Sequence, residues 1–151
     1  MGLMQEALDR SLTEANDFTR AMYADQTWSD DEVISFVSAA RSATIASANA
    51  EGIPHAAVVI AACHEDEHIY FTVTPSTVLS RNIVARPQIA FSICFADKSV
   101  KGQGVGVLVG RALELPDLVQ ALGAPGSGHG FVPPEWDGLI YRIDVRRIFT
   151  G

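Results

Sequence analysis

The sequence predicts a mainly β fold: a six-stranded antiparallel barrel, with helices before it and one short helix between the third and fourth strands. Three observations carry this. Between Ala43 and Leu115, and again from Leu139 to Phe149, apolar residues alternate with polar ones or form short apolar runs. The turns at Asn49–Gly52 and His64–Glu67 are too short for crossover helices, so the strands they join must pair antiparallel. No internal repeat and no interdomain linker breaks a chain of 151 residues, long enough for one sizeable core.

The elements follow in order. Met4, Leu8, Leu12, Ala15, Phe18 and Met22 recur at helical spacing, which predicts one amphipathic helix over residues 3–23. Its apolar stripe needs a surface, either its own barrel or a partner subunit. Ser29 to Glu32 reads as a capping box that starts a second helix, with Val33, Phe36, Val37 and Ala40 on its apolar face. These features set a helical extension over residues 1–28 and a barrel domain over 29–151. Ala43–Ala48 is the first strand, Pro54–Cys63 the second and His68–Thr74 the third, where Ile69, Phe71 and Val73 share one face and Tyr70, Thr72 and Thr74 the other. A short helix spans Ser76–Arg86. Pro87 leads into the strand Gln88–Phe95, and a long glycine-punctuated strand spans Val100–Leu115. Pro116 opens a helix that Gly123 ends. A Gly/Pro-rich loop covers residues 124–134, and Leu139–Phe149 is the last strand.

Composition excludes several classes. With 48% hydrophobic and 19% charged residues, the chain is globular. No apolar run is long enough to cross a bilayer, and no basic segment followed by an apolar block opens the chain, so a cytoplasmic location is expected. The net charge of −7, with 11 scattered Lys and Arg, argues against nucleic acid and anionic membrane surfaces as partners. Cys63 and Cys94 lie in apolar runs and read as buried free thiols.

Three motifs bear on chemistry. His64 to His68 spells HExxH, which binds zinc only when a helix puts both imidazoles on one side; here the string falls on a hairpin tip and reads as a solvated turn. Gly102, Gly104, Gly106 and Gly110 share one strand face opposite Gln103, Val105, Val107 and Val109. No helix follows, so they form no dinucleotide fingerprint; they permit close approach of a backbone, a sheet or a flat ring. The best candidate site is a run of hydroxyls, Thr72, Thr74, Ser76 and Thr77, where a strand ends at a helix N-terminus, a place that can seat a phosphate. Capping accounts for Ser76 or Thr77 alone but not for Thr72, and Arg81, one turn in, could add charge.

The ordered elements resemble the pyridoxamine 5′-phosphate oxidase-like FMN-binding split β-barrel family, which includes relatives that use an 8-hydroxy-deazaflavin. The resemblance covers about residues 30–149. It rests on Ala43-Thr-Ile-Ala-Ser-Ala48, Gly52-Ile-Pro-His55, Ile69-Tyr-Phe-Thr72, Ser80-Arg-Asn-Ile-Val-Ala-Arg-Pro87, Val109-Gly-Arg-Ala112 and Tyr141-Arg-Ile143. It implies a homodimer with FMN at the subunit interface and a small-molecule substrate. The phosphate would sit on Thr72, Thr74, Ser76, Thr77 and Arg81. The second strand, through Val58, Val59 and Ile60, would run along the isoalloxazine, with Phe71 beside it in the third strand. Gln103 and Trp136 would complete the site, Trp136 from the region that lines the neighbouring subunit's cofactor. The resemblance names no catalytic residue; His55, Tyr70 and Tyr141 are polar groups that could reach a ring, and each reads first as structural. Members with tight FMN sites usually carry basic residues where this chain has Val78 and Leu79, which removes one or two charge-assisted bonds of about 1.5–3 kcal/mol each. Two alternatives therefore stand beside an FMN oxidoreductase: a deazaflavin-dependent reductase, and a cofactor-free split-barrel ligand-binding protein.

Overall fold

A computed structural model describes residues 2–123, 132 and 135–151. Its strands are β1 (Ser42–Ala48), β2 (Pro54–Cys63), β3 (Ile69–Val73), β4 (Gln88–Phe95), β5 (Lys98–Arg111) and β6 (Leu139–Thr150), and they close a barrel in the order β1-β2-β3-β6-β5-β4. Every pairing is antiparallel. The expected mainly β barrel with flanking helices is therefore what forms. Among the described residues no helix is long and apolar enough to cross a membrane.

Strand alternation sorts side chains between two cores. Ile45, Ile69, Phe71, Val73, Phe91, Ile93, Ile143 and Ile148 fill the barrel interior, and Phe71 stacks on Tyr141 with centroids 5.8 Å apart. On the opposite face of β3 and β6, Tyr70 and Ile140 form a second cluster with Leu118 and Leu122 of the helix α5 (Pro116–Leu122). The capping box holds: Ser29 accepts from the Glu32 backbone and Glu32 from the Ser29 backbone, opening α3 (Asp30–Ala40), which buries Val33, Val37 and Ala40. The helix α4 (Val78–Ala85) stands between β3 and β4 as expected.

Four expectations change. The helix over 3–23 is two, α1 (Leu3–Glu14) and α2 (Asp17–Tyr23), because Asn16 accepts a bond from the Thr19 backbone and starts a new helix after an extended Ala15. The apolar stripe breaks with it: Met4 and Leu8 are buried in the main core, whereas Phe18 is 74% exposed. Second, β5 stops at Arg111 and gives way to a 3₁₀ turn over Ala112–Glu114, since its partner β6 begins at Leu139, opposite Arg111. Third, both thiols are free but only Cys63 is partly covered; Cys94 points outward from the end of β4 and is exposed. Fourth, the short helix starts at Val78 rather than Ser76: Thr77, one of the two expected caps, caps it, and Ser76 takes a left-handed conformation, φ 68°, just before it. The 124–134 loop, with His129, lies outside the described residues apart from Val132.

Two glycines explain the punctuation of β5. A Cβ on Gly102 would collide with the Arg147 carbonyl, and one on Gly104 would come within 2.5 Å of the Asp144 carbonyl. The close approach is thus to the backbone of β6, where a bulge shifts the register between Gln103 and Gly104.

Candidate functional site

The end of β3, the start of α4 and the stretch of β2 that β3 leaves unpaired enclose a hollow of about 400 Å³. Each wall follows from local sequence. The second strand contributes His55, Ala57, Val58, Val59 and Ile60, and β3 contributes Thr72, Val73 and Thr74. The chain then turns through Pro75 and the left-handed Ser76, and Thr77, Val78 and Leu79 close the third side.

The hydroxyls divide by what they already bond. Thr77 Oγ1 accepts from the Ser80 backbone at 3.2 Å and donates to the Thr74 carbonyl at 2.8 Å, so it holds the turn and caps the helix. Thr72 and Thr74 line the hollow, and among the described residues neither hydroxyl has a hydrogen-bond partner. Ser76 is exposed at the rim, and Arg81 folds back to donate to the Ser76 carbonyl at 3.0 Å. His55 lines the same hollow, and its Nδ1 is buried without a partner among the described residues. A buried polar atom left unpaired destabilises the fold unless something else meets it.

Of the eleven residues expected to contact a cofactor, Val58, Val59, Ile60, Thr72, Thr74 and Thr77 line this hollow, with Ser76 and Arg81 at the adjoining turn. The Phe71 side chain lies in the barrel interior and is fully buried. Gln103 sits on the outer face of β5, opposite Ala90 and Arg147, and Trp136 packs beside α5. One protomer does not bring Gln103 and Trp136 to the hollow. Of the three polar groups considered for the ring, only His55 lines it.

Tyr70 and Tyr141 do structural work. Burial, then the hydrogen bond to Asp66, pushes the Tyr70 hydroxyl up to about 12. Burial alone raises Tyr141. The His64–His68 string forms the hairpin end, as expected, with Glu67 left-handed at φ 68°. His68 Nδ1 lies 3.1 Å from Asp66 Oδ2, and its Nε2 lies 3.8 Å from Asp144 Oδ1. Burial disfavours the Asp66 carboxylate, but bonds from the Tyr70 hydroxyl and the His68 backbone outweigh it and hold its carboxyl below the usual range. Among the described residues no three metal-type side chains converge.

One positioning contact was not anticipated. Asn82 Nδ2 donates to Ser47 Oγ at 3.1 Å with both residues 4% exposed, tying α4 to β1. Its signal was present: Asn82 lies on the buried helical face of Leu79 and Ile83, where a polar residue demands a partner.

The family model for pyridoxamine 5′-phosphate oxidase matches residues 29–125, well over half of the chain and all of the hollow. The chain belongs to the pyridoxamine 5′-phosphate oxidase family. Solved structures repeat the barrel of this family member. A conserved hypothetical protein from Mycobacterium tuberculosis is 22% identical, with TM-score 0.65, covering 84% of this chain and 86% of that one. The haem-storage protein HutZ from Vibrio cholerae is 14% identical, with TM-score 0.57, covering 80% and 92%. An F420 reductase is 19% identical, with TM-score 0.60, covering 76% and 93%. At these identities the likeness is one of fold. No curated protein matches the sequence significantly.

Proposed function

We propose that this protein binds FMN in the β2–β3–α4 hollow as a homodimer and moves a hydride between the flavin and a small organic substrate. The observation that carries this is the convergence of free Thr72 and Thr74 hydroxyls with the unpartnered His55 Nδ1 at the start of α4. These groups fit a phosphate and a polar ring edge. Thr72, Thr74, Ser76, Thr77 and Arg81 would hold the phosphate, aided by the N-terminal dipole of α4. The strand Val58–Ile60 and the His55 side chain would orient the ring. Gln103 and Trp136 would come from the partner subunit. FMN supplies the hydride chemistry; the protein supplies orientation and a dry surface.

The outer sheet face supports the dimer. Val58, Thr44 and Ser92 form one row across β2, β1 and β4, and Ala56, Ala46 and Ala90 form the next. These are small or apolar side chains facing outward, and Val58 is 76% exposed. A flat face of this kind suits a second copy.

Titration of the apo-protein with FMN tests the reading. Saturation at one flavin per chain is expected, with Thr72→Val and Arg81→Ala each weakening it about 10-fold or more. Unchanged affinity in both variants sinks the placement. Val78 and Leu79 leave the hollow wall apolar where charge would grip FMN phosphate, which favours the cofactor-free alternative; the deazaflavin coenzyme is the other cofactor reading. Saturation by deazaflavin with none by FMN would select it. A dimer that binds neither would leave the cofactor-free ligand-binding protein.

A further inference from the structure

We propose that a second hollow, between α2 and the outer wall of β4, β5 and β6, is an oxyanion site for a small carboxylate- or phosphate-bearing molecule, held by Arg147 and Lys101. The hollow encloses about 420 Å³, and Asn16, Thr19, Lys101, Gln103, Arg147 and Phe149 contribute to its lining. The strand register explains the grouping. Lys101 pairs with Phe149 and Gln103 with Arg147, so these four side chains share the outward face of neighbouring strands. The bulge between Gln103 and Gly104 places Arg146 in the adjoining depression, which Gln103 also borders.

The charge balance points to an anion. The chain carries a net charge of −7, yet two cations and no carboxylate line this hollow. Arg147 Nε is buried and has no hydrogen-bond partner among the described residues. Lys101 Nζ bonds the Ser99 hydroxyl at 2.9 Å and sits 4.9 Å from the Tyr23 ring centroid. Neither cation has a carboxylate within 4.0 Å among the described residues, whereas Arg20, Arg111 and Arg142 each do. A guanidinium with a buried, unused donor is matched by a carboxylate or phosphate, whose oxygens accept from its fork. Phe149, which lines the hollow with its ring centroid 5.8 Å from the Arg147 guanidinium and packs on Tyr23 at 5.0 Å, adds an aromatic surface against which the organic part of such an acid can lie. This site does not depend on flavin binding; Gln103 is the one residue it shares with the proposed cofactor contacts.

Calorimetric titration of the flavin-free protein at low salt, with inorganic phosphate in one arm and benzoate in the other, is the test. Saturable binding of either anion is expected, and the arm that binds identifies the source. Arg147→Gln and Lys101→Met should each weaken it about 10-fold, with circular dichroism unchanged. Lys98→Met, at the start of β5 in a separate hollow beside Trp28, and Thr72→Val, in the flavin hollow, should leave it intact. Absence of saturable binding in both arms overturns the proposal. So does equal weakening by Lys98→Met, which would mean diffuse charge alone, or loss in Thr72→Val, which would put the anion in the flavin hollow. If FMN binding fails while the anion binds, the flavin reading falls and this one stands.

Discussion

The bond between Asn82 and Ser47 sets the position of α4, and hence of the turn that carries Ser76 and Thr77. Replacing Asn82 with Ala removes a buried donor and leaves Ser47 Oγ, 4% exposed, without its 3.1 Å partner. A neutral hydrogen bond contributes about 0.5–1.5 kcal/mol net, and a buried group left unsatisfied costs about 1–3 kcal/mol. The two figures overlap in content, so the expected loss is about 2 kcal/mol, with a little more from the space vacated. Ser47→Ala should cost less, because it trims only a hydroxyl, although it strands the amide. Adding Ala at both positions should restore part of the loss, since no orphan remains. Urea unfolding of the four proteins forms the double-mutant cycle, and a coupling of at least about 0.5 kcal/mol is expected. FMN affinity of Asn82→Ala should fall several-fold, because the helix start is no longer held against β1. Costs that add to within about 0.3 kcal/mol would refute the bond as the tie between α4 and the barrel.

Other perturbations test separate parts of the structure. Gly102→Ala forces a Cβ into the Arg147 carbonyl and should destabilise by about 1–3 kcal/mol in thermal unfolding; an unchanged Tm would contradict the close β5–β6 approach. Ser11, fully buried, accepts from the Ile148 backbone at 2.7 Å, so Ser11→Ala strands that N–H and should cost about 1–3 kcal/mol by urea unfolding, with no loss meaning that α1 does not brace β6. The Tyr70 hydroxyl is raised from 10.0 to about 12, which favours its neutral form in the fold. Its contribution is fully present below pH 10 and lost as pH rises from 10 to 12, so Tyr70→Phe should flatten that part of the stability profile, and an unaltered slope would count against it. Burial, reinforced by Asp66 and Glu67, pushes the Cys63 thiol up to about 12, while Cys94 is exposed. A thiol reagent at neutral pH should therefore label Cys94 rapidly and Cys63 only on unfolding; equal rates would refute the difference.

Much of the site was legible because it is local. Thr72 and Thr74 share a face through the period of a strand, and a helix follows within four residues, so free hydroxyls at a helix start can be read along the chain. What could not be read is that Thr77 spends its hydroxyl on the turn while Thr72 and Thr74 keep theirs, or that Arg81 turns back onto Ser76. Those outcomes depend on the left-handed Ser76 and on where β2 lies. The outward Cys94 is a similar case: an apolar strand buries both faces only if something covers the second, and the Cys94 side chain stays exposed.

The sequence alone determined the strands, their antiparallel sense, the α3 capping box and the short helix before β4, because turn length, alternation and capping act over a few residues. Tertiary structure decided the rest. Closure of the ring through β3 with β6 and β1 with β4 joins strands far apart in the chain, and it fixed which glycines meet the β6 backbone. Packing also put Met4 and Leu8 of α1 in the core and left Phe18 of α2 in solvent, although the break between the two helices at Asn16 is itself a local cap. Finally, the tertiary fold brought Lys101 and Arg147, 46 residues apart in number, onto one outward face, because cross-strand register pairs residues by hydrogen bonding and not by distance along the chain.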